Sequence, residues 1–253
     1  MEQSKWALIT GGSRGLGRDM SLNLAQQGVN ILFTYHNNSE KAYEVMEEIK
    51  SLGQKAHALQ LDTRVIGTFD AFFAETGKIL LEETGEDKFD FLINNAGTGM
   101  YVPFEQTTEE QFDEMMNIHL KWVYFLTQKA LKYMNNGGRI INISSGLARF
   151  SIPGSSAYAS MKGAIEVFTR YLAKELGERG ITANVVAPGA IATDFGGGRT
   201  RDNQEIQQRL SGMTALGRVG VAEDIGGIVA FLCSEKARWI NGQRIEASGG
   251  MML

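Results

Sequence analysis

The chain has 253 residues, 43% of them apolar, and a formal charge of −4 in which acids and bases are interspersed. That length and apolar content suit one large α/β core, and so mild a charge gives no footprint for nucleic acid or an anionic membrane. A lone cysteine, Cys233, cannot form an internal disulfide and fits a reducing cytoplasm.

The opening Met1 to Lys5 is polar and leads into an apolar run too brief for a secretory signal. No stretch of about eighteen apolar residues follows, so a cytoplasmic location is expected. Trp6 to Thr10 reads as a strand, Arg14 to Gln27 as a possible helix and Asn30 to Thr34 as a second strand, which is a βαβ opening. Ala42, Val45, Met46 and Ile49 recur at helical spacing, with Gly53 placed to end that helix. Strands follow at Ala56 to Leu61 and Phe89 to Asn94. Thr107-x-x-Glu110 and Thr108-x-x-Gln111 both resemble capping boxes and open an apolar-faced stretch reaching Met134. Arg139 to Ser144 is a fifth strand, and Gly163 to Arg179 a helix burying Ala164, Val167, Phe168, Tyr171 and Leu172. Ile181 to Val186 and Arg244 to Glu246 complete the strands. Between those two, residues 194–220 hold Gly196-Gly197-Gly198 and many charges but little periodicity, and read as a lid hinged on glycines. With only three prolines and no linker-like segment, a single domain over 1–253 is expected. Short strands apolar throughout are covered on both faces. The expected fold is a Rossmann-type, doubly wound parallel sheet of about seven strands, its ligand crevice beyond the strands' carboxyl ends.

Gly11, Gly15 and Gly17 fall between the first strand and its helix. There the missing side chains let backbone N–H groups approach a pyrophosphate at a helix N-terminus. The second strand ends Phe33-Thr34-Tyr35-His36-Asn37-Asn38, without an acid to repel a ribose 2′-phosphate, and Arg14 offers a planar fork for one. NADP(H) is therefore favoured over NAD(H). Tyr158 and Lys162 stand one helical turn apart, so the ammonium can favour a phenolate. Lowering a phenol pKa by about three units takes about 4 kcal/mol, which the ammonium and an oxidised nicotinamide together could supply. On the residues alone Ser144 and Ser145 compete as the hydroxyl beside the substrate oxygen. His36, His57 and His119 lack ligand spacing, so no metal is expected. His119, two residues after Asn117 on a helix, should point away from it and pack.

Taken together, Thr10 to Gly17, Asp62, Asn94 to Gly97, Asn117, Ser145, Tyr158 with Lys162, and Pro188-Gly189 with Thr193 resemble the short branch of the short-chain dehydrogenase/reductase family over nearly the whole chain. The resemblance implies a catalytic tetrad of Asn117, Ser145, Tyr158 and Lys162. In it Ser145, thirteen residues before Tyr158, holds the substrate oxygen, and a kink at Asn117 offers a carbonyl to a water linking Lys162 to solvent. It further implies cofactor contacts from Gly11, Ser13, Arg14, Gly15, Leu16 and Gly17, from His36, and from Asp62 and Thr63 near the adenine. Asn95, Ala96 and Gly97 would pass the adenosine ribose, and Pro188, Gly189, Ile191 and Thr193 the nicotinamide, with Tyr158 and Lys162 beside its ribose.

The expected activity is hydride transfer between NADP(H) and a carbonyl or alcohol, Tyr158 acting as general acid and base; a non-catalytic nucleotide-binding sensor or scaffold of the same fold is the alternative. Leu147, Phe150, Ile152, Phe195 and Met213 could form an apolar substrate pocket, while Arg149, Arg199 and Arg201 could meet an anion. Likeness to 3-oxoacyl-carrier-protein reductases is good, but Asn135-Asn136 stands where those enzymes carry a basic residue for the carrier. The closing Glu246 to Gly250 also departs from the family's Asp-Gly-Gly. Large apolar residues such as Trp122, Tyr124 and Phe125 exceed one buried stripe and suggest a homo-oligomer, a tetramer or dimer.

Overall fold

A computed structural model of the chain describes residues 4–253, so Met1 to Gln3 of the polar opening lie outside the described residues. Seven strands form one sheet in the order β3-β2-β1-β4-β5-β6-β7. They are β1 (Trp6–Ile9), β2 (Asn30–Tyr35), β3 (Ala56–Gln60), β4 (Phe89–Asn94), β5 (Met134–Ile143), β6 (Thr182–Pro188) and β7 (Arg244–Ala247). Every neighbouring pair is parallel. Because side chains alternate across a strand, Trp6 and Leu8 enter one core while Ala7 and Ile9 enter the other.

The first core is closed by α3 (Phe69–Thr84), α5 (Trp122–Ala130) and α6 (Ser156–Glu175), whose Phe73, Trp122, Leu126 and Ile165 meet the sheet. Across the sheet, α1 (Gly15–Gln26), α2 (Ser39–Ser51) and α9 (Glu223–Cys233) contribute Met20, Val45 and Val229. Strands covered on both faces are apolar throughout for this reason. The chain order reverses between β1 and β4, which opens a crevice at their carboxyl ends.

Three expected elements differ in detail. The stretch from Thr108 to Met134 is not one helix. It runs as α4 (Glu109–Met116), a π-turn over Asn117–Lys121, then α5, and Met134 already belongs to β5. Thr108, not Thr107, makes the capping box: its hydroxyl accepts from Gln111 N while Gln111 Oε1 accepts from Thr108 N. Helix α6 starts at Ser156, seven residues before the expected Gly163, and so carries both Tyr158 and Lys162. The stretch read as irregular contains α7 (Arg199–Asp202) and α8 (Gln204–Gly212) after a turn of three left-handed glycines.

Candidate active site

The crevice is a cleft of about 700 Å³. Its one end is the turn from β1 into α1, held by a small hydrogen-bond lattice. Thr10 Oγ1 accepts from Asn95 N (3.0 Å) and Ala96 N (3.1 Å), and Asn95 Nδ2 donates to the Thr10 carbonyl (2.9 Å). A Cβ on Gly17 would overlap the Gly11 carbonyl oxygen and press on Asn95 Nδ2, so glycine is required there for the turn to close. Arg14 precedes α1 in extended conformation with no side-chain cap on the helix. The first N–H groups of α1 consequently face the cleft with the positive end of the helix dipole, the arrangement a pyrophosphate needs.

All the expected cofactor contacts, from Gly11 to Thr193, lie along this cleft. At its adenosine end His36 Nε2 is 3.4 Å from Asp62, and Arg64 grips the same carboxylate with two donors, holding its pKa down at about 2. Arg64, which no sequence signal had marked, borders the cleft too, as do Thr34 and Tyr35 of the acid-free strand end. The acid-free end of β2, the two bases and the glycine turn fit a phosphorylated dinucleotide.

At the other end sit Ser145, Tyr158 and Lys162. Helix α6 is pinned beneath them by polar links through the core. Asn94 Nδ2 donates to Asn142 Oδ1 (2.8 Å), Asn142 Nδ2 to Thr169 Oγ1 (2.8 Å), and Ser144 Oγ to Glu166 Oε1 (2.8 Å). Ser144 is thereby a structural hydroxyl, buried between β5 and α6. Ser145 borders the same cleft as the Tyr158 phenol, its hydroxyl accepting from Leu147 N (3.2 Å). Lys162 Nζ lies 5.6 Å from the Tyr158 ring centre and donates to the Ile143 carbonyl (2.7 Å). Tyr158 and Lys162 are only 7% and 6% exposed. Burial therefore pushes the phenol well above its ordinary 10, against a smaller opposing influence of the nearby Ser145 hydroxyl, and depresses the ammonium to about 8. In the sequence-based expectation the Lys162 ammonium and an oxidised nicotinamide together lower the phenol pKa; burial acts in the opposite direction.

Asn117 does not border the cleft. Its carbonyl accepts from Trp122 N, five residues on, so the kink is a π-turn that supplies this carbonyl with a partner. His119 is the residue that this turn swings to Tyr158. Its ring meets the tyrosine edge-on at 4.8 Å, and its Nε2 is 2.7 Å from the Thr98 carbonyl.

Beyond Tyr158 the cleft is lined by Tyr101, Leu147, Phe150, Ile152, Phe195 and Met251. Phe195 stands 5.9 Å from Tyr158, and the Arg199 guanidinium lies 4.3 Å over the Tyr101 ring. Of the other substrate candidates, Met213 is outside the lining. Arg149 is bound to Glu246 and the Met251 carbonyl, and Arg201 to Asp202 and Asp194.

A family model described as enoyl-(acyl carrier protein) reductase matches residues 11–252. The chain is 37% identical over 256 residues to the short-chain dehydrogenase/reductase GME11373 of Pestalotiopsis microspora, covering 97% of this chain and 94% of that one. The chain belongs to the short-chain dehydrogenase/reductase family. As a member it is an oxidoreductase. Another short-chain relative, the hydroxynaphthalene reductase-like protein Arp2 of Metarhizium anisopliae, is 36% identical over 97% of this chain and 94% of its own length. Among solved short-chain reductases, the landomycin C-6 ketoreductase LanV with bound NADP and rabelomycin superposes with a TM-score of 0.89 at 38% identity, over 98% of this chain and 96% of that one. Among the described residues of this short-chain dehydrogenase/reductase, no helix is long and apolar enough to cross a membrane.

Proposed function

We propose that the protein is an NADP(H)-dependent ketoreductase for planar, polycyclic aromatic ketones, with Tyr158 as the proton donor. The observation that carries this is the meeting of Ser145, Tyr158 and Lys162 in one cleft with the glycine turn. The nicotinamide supplies or accepts the hydride when bound. Ser145 donates to the carbonyl oxygen and orients it, and Tyr158 delivers its proton to that oxygen as charge develops there. Lys162 supplies the positive charge that favours the resulting phenolate, an effect that adds to the positive charge of an oxidised nicotinamide. Arg14, His36 and Arg64 meet the 2′-phosphate end, and Asn95 to Gly97, Pro188, Gly189, Ile191 and Thr193 line the remaining contacts.

The aromatic walls Tyr101, Phe150 and Phe195 support the substrate class, since flat rings stack on them. The activities named for Arp2 and LanV agree with it. Residues 194–220 close over the substrate as a lid of this single domain, with Phe195 and Arg199 as its contact points. The exposed aromatic faces of α4, α5 and α6, carrying Phe112, Tyr124 and Tyr171, support a homo-oligomer. A buried thiol at Cys233 suits the cytoplasm.

A panel of polycyclic quinones, naphthalenones, simple ketones and a 3-oxoacyl thioester, run with NADPH and NADH side by side, tests the reading. NADPH oxidation by the polycyclic members, at least about tenfold more efficient than with NADH, is expected. Cofactor binding without turnover of any member would replace the reading with the non-catalytic sensor.

A further inference from the structure

Of the three arginines that the sequence offers to an anion, two are already neutralised: Arg149 by Glu246, and Arg201 by Asp194 and Asp202. Arg199 is not. Among the described residues its side chain makes no ion pair and no hydrogen bond, and its guanidinium rests 4.3 Å over the Tyr101 ring on the wall of the cleft. Tyr101 is itself a fixed platform. A Cβ on Gly154 would lie 2.6 Å from the tyrosine ring, so the ring packs directly on that glycine's backbone, and Val102 N donates to the Gly154 carbonyl (2.9 Å). A guanidinium held over an aromatic face is attracted by the ring quadrupole and keeps its N–H donors for another partner. The carboxylates that border the cleft are engaged elsewhere. Asp194 serves Arg14 and Arg201, Asp62 serves Arg64 and His36, and Glu114 acts on Arg64. Arg199 therefore adds an uncompensated positive charge to a wall it shares with Tyr101, Phe150, Ile152 and Phe195. Arg209 also borders the cleft without a carboxylate, but among the described residues it has no aromatic platform beneath it.

We propose that Arg199 binds a carboxylate carried on the aromatic skeleton of the substrate, so that the preferred polycyclic ketones are anionic. The inference rests on the polycyclic-ketone reading above and narrows it to one chemical class. The flat skeleton stacks along Tyr101 and Phe195, and two parallel N–H donors of the guanidinium meet the two carboxylate oxygens. Such a pair forms between groups that are already shielded on one side by the ring, where a charge-assisted hydrogen bond is stronger than in open water. Arg199 directly follows the Gly196-Gly197-Gly198 turn, so the same pair ties the proposed lid to the bound substrate.

Anthracene-2-carboxylate and anthracene-2-carboxamide share one flat skeleton and carry no ketone, so titrating each into the NADP-loaded enzyme reads the charge preference without turnover. In wild type the carboxylate should bind at least about tenfold more tightly than the carboxamide. Arg199→Gln should bring that ratio to within about threefold of unity. Arg199→Lys, which keeps the charge but not the flat fork, should fall between the two. Arg209→Gln should keep the wild-type ratio. A ratio near unity in wild type, a ratio that survives Arg199→Gln, or an equal loss in Arg209→Gln would overturn the proposal. With anthraquinone-2-carboxylate and its carboxamide as substrates, the same preference should appear in kcat/KM and be carried by KM. Binding that prefers the carboxylate through Arg199, with no turnover of either quinone, would bring down the ketoreductase reading while supporting the anion site.

Discussion

Lys162 is a charge kept where solvation is poor, and its effect on stability has a sign that can be worked out. Its folded pKa of about 8 lies below the unfolded 10.5, so the unfolded chain binds more protons between those values. The contribution of this group to stability therefore rises with pH across that window, by about 2 kcal/mol from about pH 7.5 to 9.5. Tyr158 acts oppositely, but only above about pH 10, where the unfolded phenol ionises first. Urea unfolding at both pH values should show the rise in wild type and its absence in Lys162→Met. Equal pH responses in the two proteins would mean that the ammonium is not held in a desolvated state. At this scale the sequence is informative where a rule of spacing applies: residues four apart on a helix share a face, so Tyr158 and Lys162 are legible as a pair. His119 is not. A regular helix would set it opposite Asn117, and only the π-turn, which adds a residue to one turn, brings it to the tyrosine.

Among the elements, residues 194–220 show what short helices conceal. Helix α8 buries little besides Leu210, too weak a stripe to stand out in a charged segment. Helix α6 begins without a side-chain cap at Ser155, so its start is hidden where the βαβ opening is plain. The proposed hinge is better marked, since Gly196, Gly197 and Gly198 all have positive φ. A Cβ at Gly197 would meet no atom within 4 Å, so Gly197→Val imposes backbone strain alone, about 1–2 kcal/mol. If residues 194–220 close over substrate, kcat/KM for a polycyclic ketone falls about 5- to 30-fold in that variant. Gly28→Val places similar strain at an equally open left-handed glycine outside the cleft lining and should leave kcat/KM unchanged. Matching behaviour of the two variants in steady-state assays would argue against a lid.

Over the whole molecule, function follows from the reversal of strand order between β1 and β4, which sets the glycine turn and the end of β5 on one rim. This level was the most legible in the sequence, because apolar strands alternating with helical segments admit few arrangements other than a doubly wound sheet. Surfaces were less so: Tyr171 is 64% exposed and Trp239 96%, although both are large and apolar in the sequence. The sheet, the pinned helix α6 and the buried Lys162 all converge on the Tyr158 hydroxyl, which we propose gives up the proton. NADPH oxidation by Tyr158→Phe, measured with a ketone that wild type reduces and alongside NADPH binding, probes that hydroxyl alone. Turnover should fall at least about a thousandfold while NADPH binds within about threefold of wild type; turnover within about tenfold of wild type would show that the proton comes from elsewhere.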